Sequence, residues 1–199
     1  RANATNITST VGDVSIIHGS PTLTVGNLNI SSARNLTVQA TAPSGMVNIS
    51  SHLLNLTAAN DLTIQGRYGV NLTSNTTANL NAGNDLSVQY YNPGAAGGSN
   101  PRRVMALTAS GEINLTAGND LIFATNNNRD GLDTAQNVTT IRSTSGNIAI
   151  NAGQDASVGV GLNTTRNASV VAGRNLKISP FSISVAEASP NMAGNLNVQ

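Results

Sequence analysis

The chain has 199 residues, with ten Lys or Arg against nine Asp or Glu, a net charge of +1, and no cysteine. The length suits one sizeable domain, and the near-neutral balance gives no bulk attraction to nucleic acid or anionic lipid. The lack of cysteine excludes disulfides, thiolate catalysis and Cys-ligated zinc.

Charged residues make up 10% of the chain, where about 25% is usual for a globular protein. Asn, Ser, Thr and Gly carry the polarity instead. Aliphatic residues are plentiful and regularly spaced, which argues for a packed core rather than disorder. No apolar run approaches the ~20 residues of a membrane helix. No signal peptide is visible and the first residue is Arg1, so the chain reads as a single unit, 1–199, cut from a longer protein.

Taken in chain order, one motif keeps returning. An early relative is VGNLNI (25–30), followed by SARNLTV (32–38), AANDLTI (58–64), AGNDLSV (82–88), AGNDLIF (117–123), AGQDASV (152–158) and AGRNLKI (172–178), with a weaker AGNLNV (193–198) at the end. The apolar anchor of the motif falls at Leu36, Leu62, Leu86, Leu121, Ala156, Leu176 and Leu196. Between these anchors lie MVNIS (46–50), LLNLT (53–57), VNLTS (70–74), EINLT (112–116) and NIAIN (147–151), each with an apolar residue at every second place. Period two means strand with one face buried. No stretch shows helical spacing.

Two stretches interrupt the pattern, at 90–103 (YYNPGAAGGSNPRR) and 124–138 (ATNNNRDGLDTAQNV). With these read as loop insertions, the period falls to about 20–22 residues and holds about three short strands, within the range of repeat architectures. A strand that pairs with its equivalent one repeat on makes a parallel β-helix, right-handed by the crossover rule. The expected fold is all-β: a right-handed parallel β-helix of about 7–9 coils. One coil cannot bury its own apolar side chains, but a stack can.

The GND word also resembles a fragment of a calcium-binding glycine loop. Those loops recur every nine residues, and this one does not. The better reading is a corner. Ala58, Ala82, Ala117, Ala152 and Ala172 are small where the chain bends, Gly83, Gly118, Gly153 and Gly173 supply positive φ, and Asn35, Asp61, Asp85, Asp120, Asp155 and Asn175 form Asx-turns. Stacked carboxylates would repel by about 1 kcal/mol per neighbouring pair in water, a cost that backbone N–H donors can offset. No metal or cofactor site is expected.

Other chemistry is sparse. His18 and His52 have no Asp, Glu or Ser at a telling spacing, and Glu112 sits in a turn. Parallel β-helix enzymes that cleave polysaccharides need carboxylates clustered on one outer face. The aspartates here fall in the corner column or in the second insertion (Asp130, Asp133), so no catalytic residue is assigned. Asn-x-Ser/Thr sequons begin at Asn3, Asn6, Asn29, Asn35, Asn48, Asn55, Asn71, Asn75, Asn114, Asn137, Asn163 and Asn167. Alternation writes many of them by itself, because in NLT the middle residue points inward and its polar neighbours point out. Glycosylation remains the other reading. Outward Asn and Thr are also suited to hydrogen-bonded ladders along the stack.

The words SGEINLTAGNDL and SGNIAINAGQDASV resemble the haemagglutinin-type repeats of filamentous haemagglutinin and related two-partner secretion exoproteins. The resemblance covers roughly 23–198. It implies a large bacterial protein exported through an outer-membrane two-partner secretion transporter, secreted or held at the cell surface, with a shaft that carries adhesive or toxic regions. The NPNL and NPNGI words of the family's secretion domain are missing, which places this stretch in the shaft. The expected function is a structural and adhesive shaft segment that attaches to cells or glycans. The alternatives are a polysaccharide-degrading β-helix enzyme and the receptor-binding stick of a contact-dependent inhibition toxin.

The expected contact residues are Tyr90, Tyr91, Arg102, Arg103 and Arg129, which sit in or at the edges of the two insertions. Aromatic and Arg side chains are common interface anchors. Both insertions follow the motif strand, so they should leave the shaft at the same corner and lie side by side.

Overall fold

A computed structural model describes residues 4–90, 104–125, 138–178, 183–185 and 196–198. They form strands only, in three parallel sheets. The first sheet runs β1 (Ala4–Ser9), β4 (Asn27–Ser32), β7 (Leu53–Ala58), β10 (Ala78–Ala82), β13 (Ile113–Ala117), β16 (Ile148–Ala152), β19 (Ala168–Ala172) and β22 (Leu196–Val198). The second runs β2 (Val14–His18), β5 (Leu36–Ala40), β8 (Leu62–Gly66), β11 (Leu86–Tyr90), β14 (Leu121–Thr125), β17 (Asp155–Val158) and β20 (Asn175–Ile178). The third runs β3 (Thr22–Thr24), β6 (Met46–Ser51), β9 (Gly69–Ser74), β12 (Val104–Ala109), β15 (Val138–Ser143), β18 (Gly161–Thr164) and β21 (Ile183–Val185).

Each strand pairs with the strand three places on. Three consecutive strands therefore make one coil. The described residues make seven such coils, and β22 adds an eighth strand to the first sheet. This is the parallel β-helix that the alternation predicts.

The interior is built from columns of equivalent residues. In the second sheet Val14, Leu36, Leu62, Leu86, Leu121, Ala156 and Leu176 stack in register. Leu36, Leu62 and Leu121 are fully buried. In the first sheet Ile30, Leu56, Leu80, Leu115, Ile150 and Val170 do the same. At roughly 1.5–3 kcal/mol for each fully buried side chain, these columns dominate the stability of the stack.

Three boundaries differ from the sequence reading. Leu196 is not an anchor of the second-sheet column. It pairs with Ala168 in the first sheet, and VGNLNI likewise feeds β4 of that sheet. The corner word of the first coil is instead VGDVSI (11–16), whose Val14 pairs with Leu36. The insertions are also shorter than expected at their strand ends. Tyr90, Ala124 and Val138 all lie in strands.

Coil length varies more than the expected 20–22 residues. Equivalent corner residues are 22, 26, 24, 35, 35 and 20 apart. Strand register, not coil length, is what repeats. The two spacings of 35 span 91–103 and 126–137, outside the described residues. Both leave the second sheet and rejoin the third, since β11 pairs with β14 and β12 with β15. They therefore depart at the same corner in adjacent coils.

Candidate functional site

Two outward features repeat from coil to coil. The first is the corner where the first sheet passes into the second. There the column runs Asp13, Asn35, Asp61, Asp85, Asp120, Asp155 and Asn175. Each backbone N–H donates to the side-chain oxygen of the residue one coil before it. Asn35 donates to Asp13 Oδ1 at 3.0 Å, Asp61 to Asn35 Oδ1 at 3.3 Å, and Asp85 to Asp61 Oδ1 at 3.3 Å. Asp120 donates to Asp85 Oδ1 and Asp155 to Asp120 Oδ1, each at 3.1 Å, and Asn175 to Asp155 Oδ1 at 3.2 Å. These bonds run between coils, so the expected local Asx-turn is replaced by an axial ladder. A charge-assisted bond to backbone N–H offsets the repulsion of stacked carboxylates.

The corner glycines need a different explanation as well. None of Gly83, Gly118, Gly153 and Gly173 has φ in the left-handed region. Instead, a Cβ on Gly118 would lie 1.9 Å from the carbonyl oxygen of Gly83, and one on Gly153 would lie 1.9 Å from that of Gly118. From Gly83 onward the backbone of the coil below lies where a side chain would go, whereas the two coils before it carry Ala33 and Ala59 at the same position.

Arg174 closes the acidic run. Its Nε and Nη2 donate to Asp155 Oδ1 and Oδ2 at 2.9 and 2.7 Å. Those bonds, with help from Asn175 and against a smaller desolvation effect, hold the Asp155 carboxyl at about 2, well below its ordinary value. Asp155 in turn raises the Arg174 guanidinium. Asp120, Asp155, Ile122, Ser157 and Lys177 border a depression of about 350 Å³. Asp155 is ionised at any ordinary pH and has no proton to give as a general acid, the role that one carboxyl of a glycosidase pair must fill.

The second feature is an asparagine ladder on the outer face of the first sheet. Asn29 Nδ2 donates to Asn6 Oδ1 at 2.8 Å, Asn55 to Asn29 at 2.7 Å, Asn79 to Asn55 at 2.7 Å, and Asn114 to Asn79 at 2.9 Å. The ladder stops where Ala149 takes the next place. Outward Asn ladders were legible in the alternation. A shorter glutamine rung on the second sheet, Gln39 Nε2 to Gln65 Oε1 at 3.2 Å, was not singled out. Four ladder members, Asn6, Asn29, Asn55 and Asn114, begin sequons.

Inside the corner between the third and first sheets, buried hydroxyls bridge coils. Ser74 Oγ donates within reach of His52 O and Thr77 O (3.0 and 2.8 Å), and Ser143 Oγ of Gly111 O and Gly146 O (2.6 and 2.9 Å). Ser51 holds the same column position, but its buried Oγ has no partner.

Of the expected contact residues, only Tyr90 lies among the described residues. It is 4% exposed and belongs to the core. It pairs with Gly66 on one side. Its position as the last inward residue of β11 buries it, so it is not offered as a surface anchor. Tyr91, Arg102, Arg103 and Arg129 lie outside the described residues. The His18 Nδ1 accepts from the Ser20 N–H, and Glu112 is bonded to the N–H and Nδ2 of Asn147. Among the described residues no three His, Asp or Glu side chains are grouped to hold a metal ion. No protein-family model, curated protein or solved structure matches the chain.

Proposed function

We propose that this chain is a structural and adhesive shaft segment of a large secreted bacterial surface exoprotein, one that attaches to cells or glycans. The observation that carries the reading is the solenoid itself. Its coils repeat in strict register, and the outer faces of its first and second sheets carry rows of uncharged Asn, Gln, Ser and Thr. Such a stack grows along one axis and presents an extended surface, which is what a shaft requires. The haemagglutinin-type repeat words support export through an outer-membrane two-partner secretion transporter, with a host or neighbouring-cell receptor or glycan as the partner.

The test is attachment of the purified segment to epithelial and bacterial cells and to arrayed glycans, run beside an assay for new reducing ends on polysaccharides. Saturable attachment without cleavage is expected. Cleavage of a polysaccharide would replace this reading with the enzymatic one.

A further inference from the structure

We propose that the outer face of the first sheet is a docking surface for an extended, uncharged polysaccharide lying along the solenoid axis. This rests on the adhesive reading above and names its ligand class.

Two parallel rows define the face. One is the ladder Asn6, Asn29, Asn55, Asn79 and Asn114. The other, two residues along each strand, is Thr8, Ser31, Thr57, Asn81 and Thr116. Neither row holds a charged residue, and all but Thr57 of the second row are exposed. Consecutive rungs are ~4.8 Å apart and the rows ~6.7 Å apart, so the two rows present a flat lattice of hydrogen-bonding groups ~19 Å long.

The ladder leaves binding capacity unspent. A side-chain amide has two N–H donors and an acceptor oxygen with two lone pairs. Each interior asparagine uses one donor and one lone pair on its neighbours, so the other donor and lone pair remain for a ligand. Fixing the amides in a chain also sets their orientation in advance, which lowers the ordering cost of binding. The ligand that fits repeats at the same interval, is extended, and carries both donors and acceptors without charge. A pyranose residue in an extended neutral glycan advances by about one coil's rise and offers hydroxyls of both kinds.

Charge selects against the anionic alternatives. The corner column that borders this face carries Asp61, Asp85, Asp120 and Asp155 in consecutive coils, which repels uronates and sulfated sugars. Access is set by topology. Both insertions leave at the corner between the second and third sheets, the corner that the first sheet does not border.

The experiment measures binding of the whole chain to neutral xylan and mixed-linkage β-glucan, with alginate as the anionic comparison, at low and high salt. Binding to the neutral polymers, unchanged by salt and absent for alginate, is expected. The triple variant Thr57→Ala, Asn81→Ala, Thr116→Ala removes three second-row groups and leaves the ladder intact. It should bind about tenfold more weakly or worse with an unchanged melting temperature. The matching variant on the second sheet, Thr37→Ala, Thr63→Ala, Ser87→Ala, should bind as the parent does. Equal binding by both variants would overturn the assignment to this face. Lateral dimers through this face, or attachment to cells with no affinity for neutral polymers, would overturn the ligand class while leaving the adhesive reading in place. No attachment of any kind would remove that reading as well.

Discussion

The corner glycines make a sharp test of how the coils are held together. At Gly118 a Cβ would meet the Gly83 carbonyl oxygen at 1.9 Å and its carbon at 2.9 Å. Both are backbone atoms, already fixed by the bonds from Gly83 N to Ala58 O and from Gly118 N to Ala82 O. No side chain can rotate away, so Gly118→Ala must push one coil off the next. Overpacking of this kind costs about 1–3 kcal/mol, and in a chain of this size each kcal/mol lowers the melting temperature by about 2–4 °C. Gly12 supplies the contrast, because a Cβ there would find only Ser9 Oγ, at 3.8 Å. Gly12→Ala should be neutral, or stabilising by about 0.4–1 kcal/mol through the unfolded chain. Thermal melts of both variants settle the matter, and Gly118→Asn separates the two explanations of the glycine. Asn tolerates the left-handed region, so a positive-φ corner would accept it better than Ala. Close coil contact makes Asn at least as damaging as Ala. A Gly118→Ala protein that melts with the parent would refute the close-contact account.

Other perturbations probe the core, the buried hydroxyls and the acidic ladder. Leu86→Ala should cost about 2–5 kcal/mol in a chemical melt, and Leu86→Asp more, since it buries a charge with no partner. Ser143→Ala should cost about 1–3 kcal/mol, because the Gly146 N–H and the carbonyl of Gly111 lose their partner. Ser51→Ala removes an unsatisfied hydroxyl and should leave the melt unchanged or raise it. The Asp155 carboxyl is held at about 2 by Arg174, below the ~3.9 of an unfolded chain. Its contribution is therefore complete above about pH 4 and is lost as pH falls through about 2. Arg174→Gln should move that titration up toward the ordinary carboxylate range in a carbon-detected NMR pH series. A titration that stays low would assign the effect to Asn175 instead.

The sequence makes the core legible because burial and alternation are the same pattern. Leu36, Leu62, Leu86 and Leu121 could be stacked from the recurring corner word and the alternation after it, since a period-two strand has only one buried face. The corner was legible as a place and misread as a mechanism. Small residues followed by Asp look the same whether the chain turns through positive φ or lies flat against the coil below. Only the Gly83 carbonyl, 24 or more residues away in the chain from its neighbours in the stack, distinguishes them. Likewise GNL in VGNLNI copies the letters of the corner but leads into β4 of the first sheet, and Leu196 of AGNLNV also joins that sheet. Three residues carry too little information to say which of three similar bends they make, whereas pairing of Leu196 with Ala168 fixes it at once.

The same logic explains why Tyr90 was misplaced and the asparagines were not. An aromatic pair at the start of an insertion reads as a surface anchor, because composition shifts there. Burial of Tyr90 follows from its place as the last inward residue of β11, and the composition shift hides that the strand runs that far. A ladder asparagine needs only the same residue at the same register in the adjacent coil, and a solenoid supplies that through repetition. Polar rows are therefore readable to the extent that the repeat is exact, and the asparagine ladder ends at Ala149 where the repeat changes. That change comes directly after the two coils of 35 residues. The uncharged lattice thus belongs to the first five coils, and an engineered Ala149→Asn would test whether the lattice can be lengthened. By register its Nδ2 should reach Asn114 Oδ1, adding one rung to the ladder without altering the core.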